Sequence, residues 1–472
     1  MNGGTSIKAE EPGTCIFLGK LLGGNYTTPE MNRIWSEEEF IKKILEVEYA
    51  LAKAEAELGL IPELVPAKIR ELIDRQVLED IINKIASVKG KARHLMVSIM
   101  YAVAEELGEY GEYFHLGPTT QDILDTALIL SCRDSIKILI ESIKELTRIL
   151  LEKSKEFRLA VMAGRTHGQH AVPITFGLKL ALWADIFIDH YMRLTKLYEQ
   201  VSNLHLSGAV GTMASFVQIC GGDKDKALKI HELTSQYLGL NPVFIDQHQR
   251  IDRFAEITQI LALIANTIAQ IGLEIRDLSR EEVKEVFEPW ELGVHGSSTM
   301  PQKRNPEPSE WLEGIAKISR VLPLTLNSVT MQHERDATRM APEFLSLPLS
   351  FMLSHAQIKS LTRIIKGLKV YEDVMRKNLY VSRGFMLAEP LMLELAKRTG
   401  KKVTAHKIVY EIVQRAVDEN KTFQECIRET PEIKKYFKEE ELEKLLDLES
   451  YIGTSLEQIE KIYERASKEM GL

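Results

Sequence analysis

The 472-residue chain carries a net charge of −8, with 44% apolar and 27% charged residues, the balance of a globular protein long enough for about three domains and several cores. An acidic balance argues against a nucleic-acid partner, and the four cysteines, none in a Cys-x-x-Cys pair, point to neither a zinc site nor a redox motif and fit a reducing cytoplasm. The opening MNGGTSIKAEEPG lacks the basic-then-apolar order of a signal peptide, and without an uncharged apolar run of about 18 residues no membrane span is expected.

Helical signals dominate the chain. Ser36 and Glu39 form a capping-box pair opening the run EEEFIKKILEVEYALAKAEAEL, which Gly59 and Pro62 close. Arg93-His94 is followed by the segment His115-Leu116-Gly117-Pro118-Thr119-Thr120-Gln121-Asp122, in which Thr119 or Thr120 is expected to N-cap the next helix. Hydroxyls and free N–H groups at such a helix start also suit a carboxylate ligand. Residues 126–155 read as one long helix. Next comes Gly164-Arg165-Thr166-His167-Gly168-Gln169-His170, a glycine-flanked turn whose His167 is suited to proton exchange near neutral pH. Residues 241–245 read as a short extended link. Phe254, Ile257, Leu261, Ile264, Ile268, Ile271 and Ile275 alternate spacings of three and four, a heptad seam that should pack lengthwise against other helices. The stretch from Gly296 to Pro306 is rich in glycine and serine at one end and basic and proline-punctuated at the other, a loop able to bring N–H groups, hydroxyls and a cation to a carboxylate. Thr454 and Glu457 form a further capping-box pair before the last helix. Domains are expected at residues 1–115, 116–365 and 366–472.

The order of residues in these segments carries a family resemblance. Gly296-Ser297-Ser298-Thr299-Met300-Pro301-Gln302-Lys303-Arg304-Asn305-Pro306 resembles the GSSxMPxKxNP signature of the fumarase/aspartase superfamily. The Gly164–Gly177 segment, Arg93-His94, the Asn25–Ser36 stretch, Ser207–Thr212 and Glu334-Arg335-Asp336 are similar to adenylosuccinate lyases within it. The part from Gly367 onward is more similar to carboxymuconate cycloisomerases.

The resemblance implies an all-α fold of three helical domains, with a central long-helix bundle that assembles into a cytoplasmic homotetramer whose sites are shared between subunits. It implies β-elimination of fumarate from an N-succinyl substrate, adenylosuccinate first among them, with no cofactor and no metal. Another N-succinyl amine or amino acid, or a carboxymuconate cycloisomerase reaction, are the alternatives. By the same resemblance Ser297 is the base and His167 the acid. His94, His115, Thr119, Thr120, Gln121, Thr166, Gln247, Ser298, Met300, Lys303, Asn305 and Arg335 contact a small dicarboxylate substrate. Two departures bear on the substrate. Asn25 replaces an arginine, and Ala337-Thr338-Arg339-Met340-Ala341-Pro342-Glu343-Phe344 replaces a serine-rich, arginine-ended stretch that helps hold the nucleotide phosphate. Arg339 is the candidate replacement for that contact.

Overall fold

The computed structural model describes residues 22–74, 78–92, 94–243, 245, 250–290, 299–330 and 334–472. They form an almost wholly helical chain with two short two-stranded ribbons. Contacts cluster into two compact units. The first takes in the described residues through Ser142, Tyr191–Ile268 and Gly314–Lys359; the second takes in Ile143–His190, Ala269–Glu313 and Ser360–Leu472. The long helices Thr120–Glu156, Phe176–Val201, Asp252–Leu278 and Met340–Gly367 contribute residues to both.

In the first unit, the Glu37–Glu57 helix starts where the sequence places it. Ser36 Oγ accepts from the Glu39 N–H at 3.1 Å, satisfying one of the donors that a helix start leaves unpaired. The Thr120–Glu156 helix begins six residues before the expected 126. Thr119, one of the two expected residues, stands at its N-cap position, and the side chain of Asp122 accepts from the Thr119 N–H at 2.7 Å, the reciprocal half of a capping box.

The heptad seam is buried throughout. Phe254 and the six aliphatic residues from Ile257 to Ile275 are at most 3% exposed. Truncating one such residue to alanine costs about 2–5 kcal/mol. By length and composition this Asp252–Leu278 helix could cross a membrane, but 61% of its most apolar stretch is buried inside the protein, as in a core helix. Its other side keeps Leu263 and Leu273 exposed, Leu182, Met192, Ile318 and Leu324 are exposed on other helices, and Val321 is exposed in the turn before the Leu322–Val329 helix.

In the second unit, strands β1 (Val161–Thr166) and β2 (Gln169–Thr175) pair antiparallel, with Thr166 opposite Gln169. From its sequence this segment is expected only to turn. The two linking residues, His167 and Gly168, have φ of 54° and 74°, the doubly left-handed arrangement that tight hairpins require. Ala163 of β1 enters the core formed by Leu391, Leu395, Val409, Ile412 and Phe423 of the C-terminal helices, which anchors the hairpin and leaves its tip outside. The expected Thr454–Glu457 capping box does not form. Gln458 Nε2 donates to Thr454 Oγ1 at 2.9 Å instead, and a reciprocal box appears at Thr422–Glu425.

Candidate active site

The first unit gathers a cavity of about 170 Å³ lined by His94, Thr119, Thr120, Gln121, Arg335, Asp336, Ala337 and Met340. Three stretches far apart in sequence meet here: the N-cap position of the Leu95–Leu107 helix, the start of the Thr120–Glu156 helix, and the turn before Met340–Gly367. Five of the residues expected to contact substrate are therefore neighbours. Arg335 Nη1 donates to Thr119 Oγ1 at 3.3 Å. Glu334 and Arg335 both adopt positive φ, 45° and 61°, a backbone state costing about 1–3 kcal/mol in a non-glycine residue and held only where surrounding structure enforces it.

A buried carboxylate organises this wall. Asp122 is 0% exposed; besides Thr119 it accepts from the Ser207 N–H at 2.7 Å and the Gly208 N–H at 3.1 Å. It thereby joins the Thr119–Gln121 segment to the Ser207–Thr212 turn. Each charge-assisted bond of this kind contributes about 1.5–3 kcal/mol. Gly117 completes the loop because a Cβ there would meet the Phe216 ring at 3.1 Å, and its φ is 95°.

His115 leaves the helix-turn segment at φ 60°, and its Nδ1 donates to Glu48 Oε1 at 2.6 Å. Glu48 is 1% exposed. Burial pulls the imidazole pKa down, the Glu48 charge and hydrogen bond outweigh it, Asp122 adds to them, and the result is raised above the usual value. Glu55 is also buried, on the same helix as Glu48; desolvation and the Glu48 charge push its carboxyl well up.

Arg339 is 0% exposed. Its Nε donates to Glu343 and its Nη2 to Asp125, each at 2.8 Å. Phe344 packs edge-on against Phe40, ring centroids 5.5 Å apart.

In the second unit, Thr166 and His167 are exposed at the hairpin tip. Arg165 braces the hairpin through a two-pronged pair to Glu285, at 2.7 and 2.9 Å. Met300 and Lys303 are exposed, Asn305 is half-buried, and Lys303 N–H donates to Met300 O at 3.0 Å across a tight turn. Ser297, Ser298 and Gln247 lie outside the described residues. Asp122, Asp336, Ala337 and Met340 are site residues the sequence analysis does not single out. The Asp at the third position after Thr119 was the available signal for the first of them. Among the described residues one group has metal-ligand character, Glu419, Cys426 and Glu429, but Lys421 Nζ already pairs with both glutamates, at 2.8 and 2.9 Å.

Comparison with known proteins agrees with this architecture. Residues 24–321 match a family model described as Lyase, and residues 384–462 match one described as Adenylosuccinate lyase C-terminus. The second match covers most of the C-terminal part, and solved carboxymuconate cycloisomerase structures are similar over 95–96% of the chain. The chain is 39% identical over 442 residues to adenylosuccinate lyase of Pyrococcus horikoshii, covering 93% of this chain and 96% of that one. It is 36% identical over 446 residues to N-acetyl-S-(2-succino)cysteine lyase of Dickeya dadantii, covering 94% and 95%. The structure of 3-carboxy-cis,cis-muconate lactonizing enzyme from Pseudomonas putida superposes with a TM-score of 0.86 at 30% identity, covering 96% of this chain and 100% of that one. The family match over most of the chain, the full-length relatives and the shared helical fold together place this chain in the lyase family, as an enzyme of the fumarase/aspartase superfamily.

Proposed function

We propose that the chain is a carbon–nitrogen lyase that cleaves adenylosuccinate to fumarate and a nucleoside monophosphate. The observation that carries this reading is the meeting of His94, Thr119, Thr120, Gln121 and Arg335 at one cavity. Its volume of about 170 Å³ suits a four-carbon dicarboxylate and not a nucleotide. The succinyl end sits within it and the rest of the substrate projects outward. Hydroxyls, an amide and a guanidinium are the donors a carboxylate needs.

In the elimination, Ser297 removes the proton from the carbon beside one carboxylate. The C–N bond then breaks as the C=C bond of fumarate forms, and His167 gives a proton to the departing nitrogen. Lys303 and Asn305 stabilise the dianionic intermediate before the bond breaks. The exposure of His167, Met300 and Lys303 in a single chain supports a site completed by other subunits. Exposed apolar side chains on the long helices, Leu182, Met192, Leu263 and Leu273 among them, support the homotetramer that would supply them. A small dicarboxylate substrate, with no nucleic-acid or membrane partner, and a cytoplasmic location belong to the same reading.

A second reading has its own support. Arg339 is engaged by two buried carboxylates and Phe344 packs on Phe40, where the resemblance expects phosphate-holding residues. That arrangement favours a phosphate-free succinyl thioether of the kind the Dickeya dadantii relative is named for. Fumarate release, followed by its ultraviolet absorbance, is measured with adenylosuccinate and with N-acetyl-S-(2-succino)cysteine. Faster turnover of adenylosuccinate is expected; turnover of the thioether alone overturns the first reading in favour of the second.

A further inference from the structure

Arg339 heads the fully buried side chains by volume. It ends the short turn Ala337–Arg339 and directly precedes Met340. Its guanidinium reaches two carboxylates on different helices. Glu343 lies four residues further on, in the Met340–Gly367 helix that follows, and Asp125 belongs to the Thr120–Glu156 helix. Both carboxylates are 1% exposed. The Asp125 Oδ1 that accepts from Arg339 also accepts from Gln121 Nε2 at 3.2 Å. Gln121 lines one wall of the cavity, and Ala337 and Met340, flanking Arg339 in sequence, line another. A single buried fork therefore ties the two walls together and, through Asp125, holds the carboxamide of a residue that lines the cavity.

Burying one guanidinium with two carboxylates is expensive, and an apolar side chain of similar volume would often fill such a place at lower cost. A fixed relative position of two elements is what the ionic arrangement adds. Burial pushes the Glu343 carboxyl up against the pull of Arg339, and the Asp125 charge adds to the rise. Lysine, a single point charge, lacks the planar fork that serves both acceptors.

We infer that Arg339 is a positioning residue of the substrate site: through Asp125 it fixes the Gln121 carboxamide at the cavity wall and keeps the 337–340 turn against it. The inference rests on the reading that this cavity receives the dicarboxylate end of the substrate. It differs from a phosphate contact, which would put the same guanidinium on the ligand itself.

Calorimetric titration of the full-length enzyme with fumarate and with adenosine monophosphate separates these roles. A double-mutant cycle combines Gln121→Ala with Arg339→Lys. Gln121→Ala should weaken fumarate binding about tenfold and Arg339→Lys about fivefold, while in the Gln121→Ala background Arg339→Lys should add less than about twofold. A purely structural role would leave the Arg339→Lys effect intact in that background, and additive effects overturn the inference alone. Weakened binding of the monophosphate with unchanged fumarate affinity in Arg339→Lys overturns it in favour of a phosphate contact. Unchanged fumarate affinity in Gln121→Ala removes the cavity as the dicarboxylate site, and the inference with it. Should Arg339→Lys fail to fold, Asp125→Asn, which keeps the shape and one acceptor oxygen, carries the same cycle.

Discussion

Replacing Arg165 by methionine should destabilise the protein far more than neutralising its partner does. Glu285 has 0% side-chain exposure, whereas Arg165 keeps 24%. Arg165 donates twice to the Glu285 carboxylate, and Asn378 Nδ2 donates to Glu285 Oε1 at 2.8 Å. Arg165→Met leaves a buried carboxylate with the Asn378 amide as its remaining donor in this group. Removing one partner of a buried pair costs about 3–5 kcal/mol, and the partial exposure of Arg165 places this case near the lower end. Glu285→Gln leaves a cation that can turn to water and an amide that still accepts from one neighbour, at a cost of about 1–2 kcal/mol. The double variant Arg165→Met/Glu285→Gln should be more stable than Arg165→Met alone, because the uncompensated charge is gone. Urea unfolding followed by circular dichroism, at one fixed protein concentration, ranks the three. Because Arg165 sits two residues from His167 at the hairpin tip, turnover should follow the same ranking. A cost for Arg165→Met no larger than that for Glu285→Gln would refute the buried-charge argument.

Two further outcomes are expected. Ser297→Ala should lower kcat by at least about a thousandfold while leaving the unfolding midpoint within error, since removing one serine hydroxyl changes stability little; retention of more than about a tenth of the activity would move the base elsewhere, with Ser298 the first suspect. Thr28 and Ser142 hydroxyls engage the two ring nitrogens of His355 at 2.7 and 3.0 Å. Burial holds its pKa down at about 4, with Glu30 pulling up and Lys359 adding to the fall. An unfolded histidine near 6.5 takes up a proton that the folded one refuses. This stability is therefore fully present above pH 6.5 and is lost as pH falls through about 4, a swing of about 3 kcal/mol. His355→Gln should flatten that part of the pH–stability curve, and a wild-type-minus-variant difference constant across the window would show that His355 does not titrate as described.

Local chemistry made much of this protein legible before any folding. The spacing from Phe254 to Ile275 named every buried residue of the seam, because a helix converts a three-and-four rhythm into one face. Ser36 and Glu39 marked a helix start because the cap spans four residues. The motifs around His94, Thr119 and Arg335 were each visible as short strings. Their meeting at one cavity was not, since Arg335 and Thr119 lie 216 residues apart and only packing brings them within 3.3 Å. The hairpin at Val161–Thr175 was hidden for a related reason: strands exist by pairing, and Pro173 and the run of small residues gave no alternation to read. Arg339 shows the division most sharply. In the sequence it was a cation in a polar turn, open to a phosphate. Tertiary structure set it against Asp125, 214 residues away, where two desolvated carboxylates compete for the same guanidinium and hold it inside the protein. Burial and long-range pairing belong to the whole chain, and so the roles they assign are decided only when it folds.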